Sequence, residues 1–491
     1  MRASAVLLTV GLMSWALGAA AAGEPGWMHA ELRAIAEAPP DPLPGERPEH
    51  LRDVHGGTQL FFMTGDDNAV AVRAVPDVTG DGRDEIIFGL DIFHVGDNLF
   101  CLDGASSGAA TVVWSLEEPG YFFGDQCLVP IPDTDGNGAP NFLAGSHGAG
   151  KKAYDYDALA GDVHWVFDTL LEPQSGTVYS LAQLNDITGD GIPEVAFGAG
   201  SYNDTLYMVD GASTAPGQAT VLWSYSAPDG VGSVRSIGDV NGDGDEDVLA
   251  AVIDDGNLVL CMDGGTALAG GHVLWSHPAN VYAVAVLPDI TSDGVDEALA
   301  LLWVSDGSAV RCLDGATGAE LWSSTTVMGS GMMADALPDV TGDGLAEVVV
   351  GSWENAVSVL DGADGSEVWK TRVGTLNGGD VWTARAVSDL DGDGFDDVIA
   401  GSFDYHAYAM SGLDGEVLWA FDTDNRVLSV APVGDLDGDG RAEVAVGTQN
   451  TNNTVLVHVL SGGAEAPLFA DGFESGDTAA WSLAVGGFRA F

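Results

Sequence analysis

One acidic loop recurs eight times along this chain, and its spacing constrains the fold more than any other feature. The loop begins at eight aspartates: Asp77, Asp133, Asp186, Asp239, Asp289, Asp339, Asp389 and Asp435. Successive copies lie 56, 53, 53, 50, 50, 50 and 46 residues apart. A regular period near fifty residues is typical of stacked or radial repeats, in which each unit buries its apolar surface against its neighbours.

Each unit contains four short apolar or alternating runs that are separated by Gly-rich turns. In the fifth unit the acidic loop spans residues 289–297, and the runs occupy residues 281–287, 298–304, 309–313 and 320–326. Runs of this length without helical periodicity predict β-strands. Four antiparallel strands in each of eight units predict an all-β, eight-bladed β-propeller, a ring that leaves only short sheet edges exposed.

The ends of the repeat indicate how the ring closes. Residues 60–63 (LFFM) precede Asp77 by the same 17 residues that separate residues 418–421 (LWAF) from Asp435. We therefore expect residues 58–64 to form the fourth strand of the last blade. A strand near residues 468–469 is the alternative for that position, although the preceding proline lacks a donor for a sheet interior. The propeller is predicted to span residues 57–470.

The two ends of the chain differ in composition from the repeats. Arg2, the apolar run over residues 5–17 and the three alanines over residues 20–22 predict a signal peptide over residues 1–22. Residues 23–56 are rich in Pro and Glu and predict a leader or linker. Residues 471–491 begin with DGFESG and resemble the tail of many secreted bacterial proteins. We expect a protein that is secreted, periplasmic or on the cell surface.

The charge balance excludes several classes of partner. The chain has 16 Lys and Arg against 74 Asp and Glu, a net charge of −58. Nucleic acid is therefore not expected as a partner, because its phosphates would be repelled. No run after the signal peptide is long and apolar enough to predict a membrane span. We expect a monomer whose partner is a protein or a carbohydrate.

The acidic loops have the chemistry of a site for a hard cation. Oxygen-bearing residues at the first, third, fifth and ninth positions, with Gly at the sixth, suit calcium. Seven copies supply the candidate ligands Asp77, Thr79, Asp81 and Glu85; Asp186, Thr188, Asp190 and Glu194; Asp239, Asn241, Asp243 and Asp247; Asp289, Thr291, Asp293 and Glu297; Asp339, Thr341, Asp343 and Glu347; Asp389, Asp391, Asp393 and Asp397; Asp435, Asp437, Asp439 and Glu443. The copy at Asp133 has Asn137 and Asn141 in place of two acids.

These loops and their flanks, such as residues 339–351 (DVTGDGLAEVVVG), resemble the FG-GAP repeats of integrin alpha subunits. The resemblance implies a propeller in which each loop joins the first two strands of a blade and binds calcium, with several Ca²⁺ ions per chain. We expect the tightest sites at Asp389, Asp435 and Asp239, weaker sites where threonine fills the third position, and the weakest or none at Asp133. An Asx and Gly turn without metal is the structural alternative.

The second half of each unit carries a tryptophan after an Asp-Gly turn. Its spacing, as in residues 314–322 (DGATGAELW), resembles the repeat of pyrroloquinoline-quinone (PQQ) proteins, and seven units share it: Trp114, Trp165, Trp223, Trp275, Trp322, Trp369 and Trp419. The resemblance implies that these rings lock neighbouring blades. A quinone dehydrogenase would also have a vicinal Cys pair, which this chain lacks, so we expect no PQQ.

The four cysteines do not form a disulfide framework. Cys101, Cys261 and Cys312 occupy the same position of the repeat, just before a Leu/Met-Asp-Gly sequence, which favours a small buried core residue. A bridge between Cys101 and Cys127 is the alternative for that pair, because export would permit it.

The rim opposite the acidic loops is the predicted place for a ligand. The residue fourteen positions after each first aspartate falls there, and its identity varies: Asp91, His147, Gly200, Ile253, Trp303, Trp353, Phe403 and Gln449. With their neighbours we select as a candidate ligand rim His147, Lys151, Tyr202, Trp303, Trp353, Trp382, Phe403, Tyr405 and His406. Aromatic and polar side chains together suit sugars or protein partners. Capping of the central channel is the structural alternative.

Two functions are consistent with this pattern. The first is a secreted, calcium-binding propeller that acts as a binding or adhesion module without catalysis. The second is an extracellular polysaccharide lyase, because some rhamnogalacturonan lyases resemble this architecture; it would require His147, Lys151 and Tyr202 to converge in one cleft. The sequence contains no nucleophile-elbow, P-loop, HExxH or dinucleotide signature, so no catalytic residue is assigned.

Overall fold

The computed structural model describes residues 57–463 except for residues 66, 92–95, 123, 173–174, 201–202, 215–217, 266–270, 304–308, 328–330, 375–379 and 450–453. The predicted signal peptide, leader and tail (residues 1–22, 23–56 and 471–491) lie outside the described residues. The described chain forms eight antiparallel blades, and each blade contains four principal strands. The prediction of an all-β, eight-bladed propeller is confirmed.

The first four blades follow the chain in order from the innermost strand outward. Blade 1 contains β2 (Ala69–Val75), β3 (Glu85–Leu90), β4 (Leu99–Leu102) and β6 (Val112–Leu116). Blade 2 contains β7 (Leu128–Ile131), β8 (Asn141–Gly145), β9 (Lys152–Asp157) and β10 (Val163–Asp168). Blade 3 contains β11 (Thr177–Gln183), β12 (Val195–Gly200), β13 (Thr205–Val209) and β14 (Val221–Ser226). Blade 4 contains β15 (Val231–Gly238), β16 (Asp247–Val252), β17 (Leu258–Asp263) and β18 (His272–Pro278).

The last four blades repeat this order. Blade 5 contains β19 (Val281–Leu287), β20 (Glu297–Leu302), β21 (Val310–Leu313) and β22 (Glu320–Ser324). Blade 6 contains β23 (Gly331–Leu337), β24 (Glu347–Ser352), β25 (Ala356–Leu360) and β26 (Glu367–Arg372). Blade 7 contains β27 (Val381–Val387), β28 (Asp397–Ser402), β29 (His406–Met410) and β30 (Val417–Asp422). Blade 8 contains β31 (Val427–Val433), β32 (Glu443–Thr448), β33 (Val455–Leu460) and β1 (Gln59–Thr64).

Strand β1 closes the ring. It pairs antiparallel with β33, where Phe62 lies opposite His458, and it is therefore the fourth strand of blade 8. Phe61 fills the position that tryptophan holds in the other blades, and it is buried against Ala69 and Phe88 of blade 1. The predicted N-terminal closure is confirmed. A two-residue strand, β5 (Gly108–Ala109), pairs in parallel with the outer edge of β1.

The second strand of each blade is buried on both faces. Every residue of β3, β8, β12, β16, β20, β24, β28 and β32 is buried. A blade packs against one neighbour on each face, so its interior strands cannot alternate between core and solvent. This explains the continuous apolar runs that follow the acidic loops. Two short 3-10 helices, Asp125–Cys127 and Thr169–Leu171, complete the regular structure that is described.

The repeated tryptophans join neighbouring blades by hydrogen bonds. The Trp419 indole N–H donates to the Gly462 carbonyl at 3.0 Å. Equivalent bonds link Trp114 to Ala158, Trp223 to Gly264, Trp275 to Gly315, Trp322 to Gly362 and Trp369 to Gly412. Each acceptor belongs to the turn after the third strand of the following blade. The buried Trp165 N–H has no hydrogen-bond partner within the described chain.

The four cysteines are buried and unbridged. Cys101, Cys261 and Cys312 each lie opposite the blade tryptophan on the neighbouring strand, as expected for a small core residue. Cys101 and Cys127 pack in the same apolar cluster without forming a disulfide. Among the described residues, no helix is long and apolar enough to span a membrane.

Candidate metal centres and ligand rim

The acidic loops join the first and second strands of their blades and share one conformation. In the loop at Asp435, the Gly438 and Gly440 N–H groups donate to the two carboxylate oxygens of that aspartate at 2.6 and 2.9 Å. The same two bonds recur in the other seven loops. Gly440 has φ +88°, a backbone conformation that L side chains rarely adopt, which explains glycine at the sixth position.

The ninth residue of the loop lies beneath this turn and is buried. Glu443 accepts the Leu436 N–H at 2.7 Å, and the corresponding acid makes the equivalent bond in six other loops. This bond uses one carboxylate oxygen. The second oxygen is left to accept another backbone N–H or to contact a cation.

In three loops that second oxygen has no hydrogen-bond partner among the described residues. Glu85 Oε1, Glu297 Oε2 and Glu443 Oε1 are buried without a hydrogen bond. Asp247 and Asp397 instead accept a second backbone N–H, from Gly264 and Gly412. Glu194 and Glu347 accept one from Thr188 and Thr341, each at 3.3 Å. A buried carboxylate oxygen without a donor is costly unless a cation neutralises it.

Four loops bring at least three acidic side chains together. Their oxygens lie within 4.8 Å of one another in the groups Asp435, Asp437, Asp439 and Glu443; Asp77, Asp81 and Glu85; Asp339, Asp343 and Glu347; and Asp389, Asp391 and Asp397. The loops at Asp77 and Asp435 combine such a group with an orphaned oxygen. The donor set, all oxygen, suits calcium, so the residues present fit this ion.

The remaining predicted loops are not gathered in this way within the described chain. The loop at Asp239, which we expected to be among the tightest, is one of them. Both oxygens of Asp247 are already bonded to backbone N–H groups. The ligand assignments at Asp186, Asp239 and Asp289 stay predictions.

Without a bound cation, burial and mutual repulsion raise the pKa of several of these carboxyl groups. Burial raises the pKa of Glu443 to about 7, and the neighbouring Asp435, Asp437 and Asp439 add to the shift. Burial also raises the pKa of Glu297 to about 7 and that of Asp397 to about 6. A divalent cation would stabilise the ionised forms that now repel one another.

Blade 2 replaces the buried acid by an internal polar network. Asn141 occupies the ninth position, and its amide donates to Asp155, a buried residue of β9, at 2.9 Å. Asp155 also accepts from the Thr134 hydroxyl at 2.6 Å and lies 3.0 Å from His164 Nδ1. The hydrogen bond to Asp155 raises the pKa of His164. When His164 is protonated, its imidazolium supplies a positive charge beside this loop, as a bound cation would in the other loops.

The opposite rim carries an aromatic surface over blades 5 to 7. Trp303 packs edge-on against Tyr282 and Trp353, with ring centroids 5.2 and 5.9 Å apart. Trp382 stacks on Phe403 with ring centroids 5.2 Å apart. The Arg426 guanidinium lies over the opposite partner of this stack, 5.3 Å from the centroid of the Phe403 ring. We call Tyr282, Trp303, Trp353, Trp382 and Arg426 the aromatic rim; all five are half-buried.

The other predicted rim residues lie deeper or apart. His147 is fully buried between Tyr121 and Tyr179. Phe403 and His406 are buried, whereas Tyr405 and Lys151 are half-buried. Tyr202 lies outside the described residues. Burial lowers the pKa of His147 to about 3, so this imidazole is neutral and does not reach a substrate.

Sequence reasoning selected Trp382 but missed Tyr282 and Arg426 of the aromatic rim. Tyr282 stands seven positions before the first aspartate of its loop, on the innermost strand, as Trp382 does, so the repeat spacing could have revealed it. A β-bulge interrupts the ladder at each of these residues, and bulges commonly re-aim a side chain. Asp155 and His164 had no signal, because their strands are adjacent only in the folded blade.

Two family models match parts of the propeller. An FG-GAP-like repeat matches residues 339–400, and an FG-GAP repeat matches residues 427–460. These segments cover the acidic loops at Asp339, Asp389 and Asp435. Two segments of the eight-bladed β-propeller are therefore similar to FG-GAP repeats. No curated protein matches the sequence.

Solved structures share the fold at low sequence identity. The computationally designed Ika8 protein is 16% identical, covers 82% of this chain and 100% of its own, and has a TM-score of 0.53. Sqt1 of Saccharomyces cerevisiae is 12% identical over 82% of this chain and 99% of its own, with a TM-score of 0.58. The C-terminal WD40 domain of Sif2 is 12% identical over 83% and 99%, with a TM-score of 0.54. These similarities concern the propeller fold alone.

Proposed function

We propose that this propeller is a secreted, calcium-stabilised binding module without catalysis. Its partner is a protein that docks on the aromatic rim. The observation that carries the proposal is the aromatic rim itself, which gathers Tyr282, three tryptophans and Arg426 on the face opposite the acidic loops. Trp, Tyr and Arg are the residues that contribute most to protein–protein affinity.

The packing of the rim favours a protein surface over a single sugar. Trp303 meets Tyr282 and Trp353 edge-on, so the rings hold one another in place across two blades. Rigid, half-buried aromatics of this kind lose little entropy on binding. The net charge of −58 further favours a neutral or basic partner over an acidic one.

Calcium has a structural role in this proposal. The ions would be held by the loops at Asp77, Asp339, Asp389 and Asp435, where acidic groups already lie together. They would neutralise buried carboxylates and stabilise the hairpin tips, and so support the rigid scaffold on which the rim stands. A calcium-rich exterior agrees with the signal peptide expected over residues 1–22, and a mature N terminus after Ala22 would test export.

The rim is tested by substituting Trp303→Ala and Trp353→Ala together. Candidate surface and secreted proteins of the same cell, and a glycan array, are screened with the calcium-loaded protein. We expect a protein ligand whose affinity falls at least about tenfold in the double variant, as is typical when hot-spot residues are removed. Leu321→Ala, at an exposed leucine of β22, is the control and should bind normally. Binding to glycans alone would refute a protein partner.

The metal loops are tested separately with Glu443→Gln. This change keeps the shape of the side chain but removes the charge of the orphaned carboxylate. We expect calcium to raise the melting temperature of the wild type, and to raise that of the variant less. Glu416→Gln, in an exposed turn of blade 7, should respond to calcium as the wild type does. An equal melting temperature with calcium and with chelator would contradict the structural role.

The alternative of a polysaccharide lyase gains no support from the described site. It required His147, Lys151 and Tyr202 to line one cleft, but His147 is enclosed by two tyrosine rings. Tyr202 lies outside the described residues. We therefore do not extend the proposal to catalysis.

A further inference from the structure

The acidic loops of blades 8 and 1 meet at the interface that closes the ring. Asp84, the eighth residue of the loop at Asp77, accepts the backbone N–H of Gly434 at 3.1 Å. Asp84 directly precedes Glu85, and Gly434 directly precedes Asp435. One hydrogen bond therefore joins two candidate calcium sites, and each end of this bond lies one residue away from a candidate ligand.

Close packing fixes both ends of this bond. A side chain at Gly434 would bring its Cβ to within 2.6 Å of the Asp84 carboxylate, so a larger residue would displace Asp84. The Asp84 carbonyl oxygen in turn lies against Gly104, in the turn after the third strand of blade 1, where a Cβ would also clash. Glycine at both positions allows these backbones to approach closely. The bond is therefore part of a tight contact between two blades.

A second contact joins the loop of blade 8 to blade 1. Leu436 follows Asp435, and its N–H donates to Glu443 at 2.7 Å. The Leu436 side chain is buried in the apolar cluster that contains Ile86 and Leu102 of blade 1. The residues on both sides of Asp435 thus contact the neighbouring blade, so the position of this aspartate depends on blade 1.

The two joined loops share one further property. Each combines a gathered acidic group with a buried carboxylate oxygen that has no hydrogen bond among the described residues. That oxygen belongs to Glu85 in blade 1 and to Glu443 in blade 8. Without a cation, repulsion between the carboxylates favours opening of each loop. Opening of either loop would disturb its end of the bond between Asp84 and Gly434.

The same junction is built differently elsewhere in the described chain. Proline, which has no N–H to donate, replaces Gly434 at the corresponding position of four loops: Pro76, Pro132, Pro288 and Pro338. Between blades 3 and 4, the Asn185 side chain donates to the Gly244 carbonyl and accepts the Glu246 N–H. At that junction both oxygens of Asp247 are already bonded to backbone N–H groups.

We propose that the loops at Asp77 and Asp435 bind calcium cooperatively, and that Asp84 is the positioning residue that couples them. This inference rests on the calcium role proposed above. A loop that is closed holds its end of the bond between Asp84 and Gly434 in place, so the second loop loses less freedom when it closes. Linkage requires the effect to be equal in both directions.

Calcium titrations followed by hydrogen exchange test this coupling, because mass spectrometry reports each loop of the full-length protein separately. Glu85→Gln should raise the calcium midpoint of protection at residues 435–443 about fivefold, near the low end of measured couplings. Glu443→Gln should raise the midpoint at residues 77–85 by the same factor. Residues 339–347, in blade 6, are the internal reference, and their midpoint should not change in either variant.

Substitutions of Asp84 test the route of the coupling. Asp84→Ala removes the acceptor, so it should raise the midpoint at residues 435–443 and abolish the further effect of Glu85→Gln there. Asp84→Asn removes the charge but keeps an acceptor oxygen. It should therefore retain part of the effect of Glu85→Gln, which separates the hydrogen bond from a general loss of negative charge.

The matched control is Asp396→Ala. Asp396 is the eighth residue of the loop in blade 7 and is half-buried, as Asp84 is. The preceding blade has Pro338 in place of Gly434, so no N–H can be lost. Asp396→Ala should leave the midpoint at residues 339–347 unchanged. Melting curves without calcium report the folding of every variant.

Two results would overturn the coupling. One is an unchanged midpoint at residues 435–443 in Glu85→Gln while the midpoint at residues 77–85 rises. The other is an equal effect of Glu85→Gln on residues 435–443 with and without the Asp84 carboxylate. If neither loop of the wild type gains protection from calcium, the calcium role itself fails together with this inference, and that outcome differs from two loops that respond independently.

Discussion

The ninth residue of each acidic loop carries most of the chemical difference between blades. With aspartate, as at Asp247 and Asp397, both oxygens reach backbone N–H groups and the turn satisfies itself. With glutamate the result differs between loops. Glu194 and Glu347 also accept backbone N–H groups at both oxygens, whereas Glu85, Glu297 and Glu443 each keep one buried oxygen without a hydrogen bond among the described residues. The hydrogen bonds that reach the second oxygen, rather than the length of the side chain alone, therefore determine how much a loop depends on an external cation.

His164 gives blade 2 a pH dependence that can be measured. Asp155 raises the pKa of His164 above its ordinary value. Its contribution to stability is therefore full below the ordinary histidine pKa and is lost as pH rises through the folded value. We expect His164→Gln to lower the free energy of unfolding by about 1–2 kcal/mol at pH about 5.5, and by less than half of that at pH about 8.5. Urea unfolding at both pH values measures the difference.

The control for this prediction is His272→Gln. His272 is 55% exposed and lies 3.6 Å from Asp263, so solvent screens the pair and little change is expected at either pH. Asp133 and Asp135 of the acidic loop also face His164, and their negative charges raise the pKa of His164 further. A destabilisation by His164→Gln that does not change with pH would contradict the assigned ion pair.

Trp165 and Trp223 provide a second matched pair. Both are fully buried, but only the Trp223 N–H has a partner, the Gly264 carbonyl at 3.1 Å. Trp→Phe removes similar apolar area at both positions, while at Trp223 it also removes a hydrogen bond. We expect Trp223→Phe to cost about 1–2 kcal/mol more than Trp165→Phe. Thermal unfolding of the two variants compares them, and equal losses would show that the indole bonds contribute nothing.

At the scale of elements, the eight hairpins look alike in sequence but differ in what holds them closed. In each hairpin, loop N–H groups donate hydrogen bonds to the side chains of the first aspartate and the ninth residue. The loop at Asp133 adds Asp155 and His164 from the third and fourth strands of its own blade. The loop at Asp435 instead concentrates four acidic side chains. Hairpins with similar backbone conformations are thus stabilised by different side-chain interactions.

Hydrogen exchange should separate these two kinds of hairpin. When calcium is removed by a chelator, we expect the amides of residues 435–443 to exchange about tenfold faster or more, because repulsion then opens the loop. The amides of residues 133–141 should change little, since their network is internal. Mass-spectrometric exchange on one sample follows both segments. Faster exchange at both loops alike would contradict the difference assigned to blade 2.

At the scale of the whole molecule, closure of the ring depends on residues near the N terminus. Strand β1 is about 400 residues from its partner β33, yet it supplies the outer strand of blade 8. Phe61 then packs against blade 1 in place of the tryptophan found elsewhere. The last interface of the ring is therefore made by β1.

A charge on β1 tests this closure. Phe61 is 1% exposed, so Phe61→Asp would bury a carboxylate at the interface of blades 8 and 1. We expect a loss of about 3–5 kcal/mol or failure to fold. Thr64→Asp, at an exposed position of the same strand, should have a small effect. Urea unfolding compares the two, and equal stability would show that the ring does not need this strand.

Much of the fold follows from local spacing. The period of the acidic loops determines the number of blades, because each unit can bury its faces only against the next. Residues 60–63 and 418–421 each precede a loop aspartate by 17 residues, and this offset predicts β1 as a fourth blade strand. Equivalent strands are joined to the next acidic loop by connections of equal length. The glycine at the sixth loop position follows from its positive φ. These features depend on residues close together in the chain, where spacing and conformation are directly linked.

The remaining properties depend on contacts between distant strands. Sequence placed His147 on the ligand rim, whereas the fold encloses it between Tyr121 and Tyr179. It ranked the loops at Asp239 and Asp435 together among the tightest sites, whereas the fold leaves an oxygen without a hydrogen bond at Glu443 and bonds both oxygens of Asp247 to backbone N–H groups. Burial, hydrogen-bond partners and convergence are properties of the tertiary structure, because they depend on which strands become neighbours.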